Sequence, residues 1–112
     1  MQHFPEFMKR RANTVSPLQE NTQDVEGYYY EGKDGAQMAF WECYSDSISQ
    51  RHIHDFDEYM ILVSGEFIAH LNGKEIRLSP GDELLIPKGT EQWGECKAGT
   101  RTIHAFGGKR IQ

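Results

Sequence analysis

The sequence predicts an all-β barrel preceded by a short N-terminal extension. Three observations carry this reading: about eight short strand-like runs follow one another from Gly27 onward, turn residues punctuate them at close intervals, and little of the chain has a helical period.

In chain order, residues 1–26 are polar and carry Pro5 and Pro17; "EFMKRRA" could form a short helix, and "PLQENTQDVEG" reads as an extended tail. Residues 27–112 then form one barrel domain. "GYYYEG" is an aromatic strand, and the Asp34–Gly35 pair in "KDGA" favours a tight hairpin turn. Its partner "QMAFWECY" places Met38, Phe40 and Tyr44 on one face and Ala39, Trp41 and Cys43 on the other. A strand apolar on both faces is covered on both, here by the core and by either a partner subunit or the N-terminal tail, which favours a homodimer. "DEYMILVSGEF" runs as a strand to Ser64 or Gly65. In "EFIAHL", Phe67, Ala69 and Leu71 face the core and turn His70 outward, into a structural or interfacial place. Asn72 and Gly73 both tolerate positive φ and mark a hairpin into "EIRL". "SPGD" turns the chain into "ELLIP", "PKGT" turns it again, and "KAGT" joins the last strands, "EQWGEC" and "TRTIHAF". The aromatics Tyr28, Tyr29, Tyr30, Phe40, Trp41, Phe56, Tyr59 and Trp93 serve the core and interfaces.

Composition narrows the function. The 112 residues suffice for one domain and one core, with a modest hydrophobic fraction of 38% enriched in aromatics to 12%. A net charge of −5 and a pI near 5.5 repel phosphate backbones and anionic lipid, so neither nucleic acid nor a membrane surface is an expected partner. No apolar run is long enough to span a bilayer, and "MQHFPEFMKRRANTV" lacks the features of a secretory signal, so a cytoplasmic location is expected. Cys43 and Cys96 are far apart and form no C-x-x-C pair; reduced, buried thiols are the expectation. Cys96 shares strand parity with Gln92 and so can approach the interior.

The chemistry concentrates in "SQRHIHDFDEYMILVSGEF". On a strand His52 and His54 project to the same side, and the polar bend "DFD" re-aims the chain at Glu58. Two imidazoles and a carboxylate on one face match the facial triad of non-haem Fe(II), and the same donors suit Mn, Co, Ni or Zn. The plainer reading is two ordinary strand histidines beside a solvated glutamate.

Two motifs tip that balance. "HIHDFDEYMILVSG" reads H-x-H-x-x-x-E, six residues, then glycine, from His52 to Gly65; "GDELLIPKGTEQ" reads G-x-x-x-x-x-P-x-G with a final position at Gln92. Together, in this order, they resemble the paired motifs of a single-domain cupin over most of the chain from Gly27. The resemblance implies a jelly-roll (double-stranded β-helix) barrel around one divalent transition metal held by His52, His54 and Glu58. It further implies a small-molecule substrate or ligand, frequent dimers, and activities that include isomerase, oxygenase and lyase types as well as non-catalytic sugar-binding or sensing barrels.

The sequence departs from the pattern at three places. Asp46 stands where a glycine usually opens the first motif, Cys96 where an asparagine usually closes the second, and Gln92 where its histidine is usually the fourth ligand. Gln92 is then a weaker oxygen ligand, a hydrogen-bond partner of a ligand, or the mark of a degraded site. His104 is the other candidate. It shares a strand face with Thr102 and Phe106; if that face lines the barrel, His104 supplies the missing imidazole or stands with Glu58 as a catalytic acid or base. If the face is external, His104 is structural. His3 lies in the polar tail and carries no expected role.

Overall fold

The computed structural model describes residues 3–16 and 24–112. They contain ten strands: β1 (Val25–Glu31), β2 (Gln37–Cys43), β3 (Ser47–Ile48), β4 (His52–Ile53), β5 (Glu58–Ser64), β6 (Phe67–Leu71), β7 (Lys74–Leu78), β8 (Glu83–Ile86), β9 (Glu91–Cys96) and β10 (Arg101–Phe106). Two more strands form than the turn signals mark. The additions, β3 and β4, are two-residue segments that exist by pairing with β9.

All pairing is antiparallel, in two sheets facing each other as a jelly-roll barrel. One runs β1-β2-β10-β5-β8; the other runs β3-β9-β6-β7, with β4 also on β9. Turn chemistry sets the register locally. Asn72 (φ 49°) and Gly73 (φ 81°) give the β6–β7 hairpin its two left-handed residues, placing His70 opposite Glu75. Gly65 (φ 84°) turns β5 into β6 against Thr100, and a Cβ there would lie 2.4 Å from the Thr100 hydroxyl.

Met60 and Leu62 from β5, Leu78 from β7 and Ile86 from β8 form the buried core, joined by Phe67, Leu71, Ile76 and Leu84. Each such side chain contributes roughly 1.5–3 kcal/mol on burial. This core fills one end of the barrel and leaves a cavity beside it.

The outer face of β1 and β2 is covered by the N-terminal segment. Phe4 and Met8 pack on Tyr28 and Phe40, with Phe4 edge-on to Tyr28 at 5.5 Å. The Val15 N–H donates to the Gly27 carbonyl and the Asn13 side-chain amide to that of Tyr29, so one backbone and one side-chain bond tie residues 13–15 beside β1. "EFMKRRA" forms no α-helix. It gives two single 3₁₀ turns, Glu6–Met8 and Arg11–Asn13, neither capped by a side chain, because its ordering comes from docking Phe4 and Met8 rather than from helix propensity. The extended tail read in "PLQENTQDVEG" spans residues 17–27; its residues 17–23 lie outside those described, and its end is not tail, because Val25–Gly27 already pair in β1. Among the described residues no helix is long and apolar enough to cross a membrane.

Candidate functional site

Between the sheets lies a cavity of about 100 Å³, walled by His52, His54, Glu58, Gln92 and His104 and by apolar side chains including Trp41, Met60 and Phe106. Strand pairing explains who meets whom. β4 pairs with β9 so that His52 lies opposite Gln92, while β10 sits between β2 and β5 and sets His104 opposite Ala39 and Met60. The face of β10 carrying Thr102, His104 and Phe106 is therefore the inner one.

Asp57 holds the bend between His54 and Glu58. Its carboxylate accepts from the Lys88 N–H at 2.8 Å and its carbonyl from the Gly107 N–H at 2.8 Å, while the His54 carbonyl accepts from the Gly89 N–H. With the bend pinned, Glu58 opens β5 pointing inward and is 3% exposed.

Glu58 is the hub. One oxygen lies 2.6 Å from His104 Nδ1; the other accepts from the Gln92 amide nitrogen at 3.2 Å and lies 3.5 Å from His54 Nε2. Burial pushes the Glu58 carboxyl up, but the hydrogen bond from His104, the charges of His104 and His54 and the Gln92 amide together hold it below its ordinary value. On its far side, His104 Nε2 shares a hydrogen bond with Thr102 Oγ1 at 2.9 Å.

His52 and His54 stand side by side, ring centroids 4.7 Å apart. Burial drives both imidazoles toward the neutral form, His54 down to about 4. Neutral imidazole is the form that ligates. His52 Nδ1 lies 2.8 Å from the Gln50 carbonyl, which fixes its proton there and leaves Nε2 as the donor atom. His54 stacks on Phe56 and meets Phe106 edge-on, so its ring cannot swing freely.

This donor set fits a divalent transition ion: two neutral imidazoles, one ionised carboxylate and one amide, with His52 already held in the ligating tautomer. It is gathered loosely. His52, His54 and Glu58 do not bring one donor atom each within 4.8 Å of one another. Among the described residues the group that does is His70, Glu75 and Glu95 on the outer face of the second sheet. There His70 stacks on Trp93 at 3.7 Å with Nε2 2.6 Å from Glu95, while Glu75 faces Arg77 at 3.4 Å. The outward turn expected of His70 is what the strand gives it.

Two cavity features escaped the sequence reading. Arg110 follows the last strand in a stretch that looks like a polar tail, yet it lines the cavity with its guanidinium 5.3 Å from the Trp41 ring centre and 6.0 Å from that of Phe106. The only local signal is the apolar Ile111 beside it, which is 2% exposed. Cys43 and Cys96, separate in the sequence, also meet at the cavity wall.

Residues 44–108 match the family model for the cupin domain. Similar solved structures include KdgF from Halomonas sp., at 19% identity and TM-score 0.68, covering 82% of this chain and 89% of that one. An RmlC-like cupin from Shewanella frigidimarina NCIMB 400 aligns at 17% identity and TM-score 0.71, covering 95% and 93%. The polyketide cyclase RemF from Streptomyces resistomycificus aligns at 15% identity and TM-score 0.70, covering 95% and 78%. At such identities the likeness is one of fold. No curated protein matches the sequence.

Proposed function

This chain belongs to the cupin family, and we propose that it is a metal-dependent enzyme that moves a proton on a small organic anion inside the barrel. The observation carrying this reading is the contact of Glu58 with His54, Gln92 and His104 in a cavity that also presents Arg110.

His52, His54 and Glu58, with Gln92 in the fourth place, are the residues to hold Fe, Mn, Ni, Co or Zn. When bound, such an ion supplies a Lewis acid for a carbonyl or carboxylate oxygen. The chain's own residues do the rest. Arg110 receives the anionic group of the substrate through its charged fork. Trp41 and Phe106 wall the site and strengthen each charge inside it by keeping water out. Glu58 fixes the proton on His104 Nδ1, so His104 gives or takes a proton at Nε2, with the Thr102 hydroxyl beside it. Proton transfer of this kind belongs to isomerase or lyase chemistry. The volume, well under the ~300–1,000 Å³ of pockets for drug-sized ligands, suits a molecule of few atoms.

The test combines metal analysis of gently purified protein with deuterium exchange. Stoichiometric metal, and His104-dependent incorporation of solvent deuterium into small carboxylic acids, are expected. Protein without metal that binds no such acid would refute the reading.

One observation favours a non-catalytic sugar- or small-molecule-binding barrel instead: Gln92 meets Glu58 through its amide nitrogen, which weakens the fourth place. A ligand retained in native mass spectrometry with no metal would decide for it. Assembly as a homodimer in the cytoplasm belongs to the same proposal. Its support is Tyr30 and Met38, opposite each other on β1 and β2 and still 38% and 44% exposed beside the N-terminal segment.

A further inference from the structure

Cys43 on β2 and Cys96 on β9 come from different sheets and are 53 residues apart, yet their sulfurs lie 2.6 Å from each other. That is well inside the contact distance of two unbonded sulfurs and within reach of the ~2.05 Å of an S–S bond by a small side-chain shift. Backbone bonds fix both positions. Cys43 N–H donates to the Thr100 carbonyl and its own carbonyl accepts from Gly99, while Cys96 pairs with Ser47 on one side and Phe67 on the other. Both thiols are buried from bulk solvent but line the cavity, which gives a molecule as small as a peroxide a route to them.

We propose that Cys43 and Cys96 are a peroxide-reactive dithiol that closes reversibly into a disulfide joining the two sheets. The step balances with a hydroperoxide as oxidant. The Cys96 thiolate attacks the peroxide oxygen, the O–O bond breaks, and hydroxide leaves to take a proton as water, leaving a sulfenic acid on Cys96. The Cys43 sulfur then attacks the Cys96 sulfur, its proton and the sulfenic hydroxyl depart as the second water, and the S–S bond forms. Two thiols are oxidised by two electrons and one hydrogen peroxide is reduced to two waters. The hydrogen bond from Cys43 holds the Cys96 thiol below its usual range, while that bond and burial push the Cys43 thiol far up, which supports Cys96 as the attacking sulfur. The proposal is independent of the metal reading, so its test is run with chelator present.

The full chain, reduced and then titrated with hydrogen peroxide, is followed by intact mass and by thiol counting after denaturation. The expected result is a loss of two hydrogens in mass, a fall from two titratable thiols to none, no covalent dimer, and full recovery with a dithiol reductant. Cys43→Ser should stop at a sulfenic acid on Cys96 that dimedone captures, and Cys96→Ser should leave one unreacted thiol. Two thiols persisting under peroxide that oxidises free glutathione would overturn the proposal, as would oxygen addition without the mass loss, or a disulfide between chains. The wild-type mass decides even if a serine variant fails to fold.

Discussion

Gln37 holds Ile111 at both ends of its backbone: its amide donates to the Ile111 carbonyl at 2.9 Å and accepts from the Ile111 N–H at 2.8 Å. The two residues are 74 positions apart and each is 2% exposed. This clamp ties the C-terminal segment to β2 and sets Arg110 over Trp41 and Phe106. Replacing Gln37 by Ala leaves a buried N–H and a buried carbonyl unpaired, at about 1–3 kcal/mol each. The expected outcome is a loss of stability of about 2–6 kcal/mol for the two groups together by urea denaturation, along with weaker binding of small carboxylates. Unchanged stability would show that the segment is anchored elsewhere.

Arg110→Gln keeps a polar side chain but removes the cation from the cavity. Calorimetry with small carboxylic acids should show binding weakened by about tenfold or more, ~1.4 kcal/mol for each decade, with metal content unaltered. Equal affinity in the variant would remove Arg110 from substrate recognition.

Metal retention separates the roles of the donors. His52→Ala and His54→Ala should each abolish stoichiometric metal, whereas Gln92→Ala should weaken affinity by about 10–100-fold, the range typical of a residue that supports a ligand. Gln92→His should raise affinity, since imidazole binds borderline ions better than an amide oxygen. Competition with a chromophoric chelator measures all four. Metal held equally by wild type and His54→Ala would place the ion elsewhere, with the outer His70, Glu75 and Glu95 group as the first alternative.

The chelated protein should lose stability on acidification from about pH 6.5 downward. His54 ionises near 6.5 when unfolded but only at about 4 in the fold, so between these values the unfolded chain binds the extra proton. Its contribution is complete above 6.5 and lost as pH falls; at ~1.4 kcal/mol per pH unit between the two values, His54 accounts for at most about 3 kcal/mol. Glu58 acts in the same direction at lower pH, because its native value lies below the unfolded 4.5 and protonating it breaks its bond with His104. Urea midpoints from pH 7 to 4 should fall for wild type and flatten for His54→Gln. A wild-type midpoint constant over that range would contradict the burial argument.

Much of the fold follows from local signals. Period-2 alternation and turn residues mark eight of the ten strands, and the inward set Phe67, Ala69 and Leu71 is legible because one face of β6 is apolar and the other carries His70. The two motifs mark His52, His54, Glu58 and Gln92 as one candidate site, and the pairing of β4 with β9 brings His52 opposite Gln92. Tertiary structure alone decided three things. Alternation splits β10 into two faces without saying which is inner; its place between β2 and β5 turned His104 toward Glu58. The meeting of Cys43 with Cys96 depends on two sheets closing over each other, which no spacing within the chain encodes. Arg110 reads as part of a polar tail until the buried amide of Gln37 captures Ile111 and folds that tail back over the cavity. Local patterning depends on neighbours one to four residues away, so it specifies strands and turns. Contacts across 46, 53 and 74 residues arise only once those strands are ordered in space.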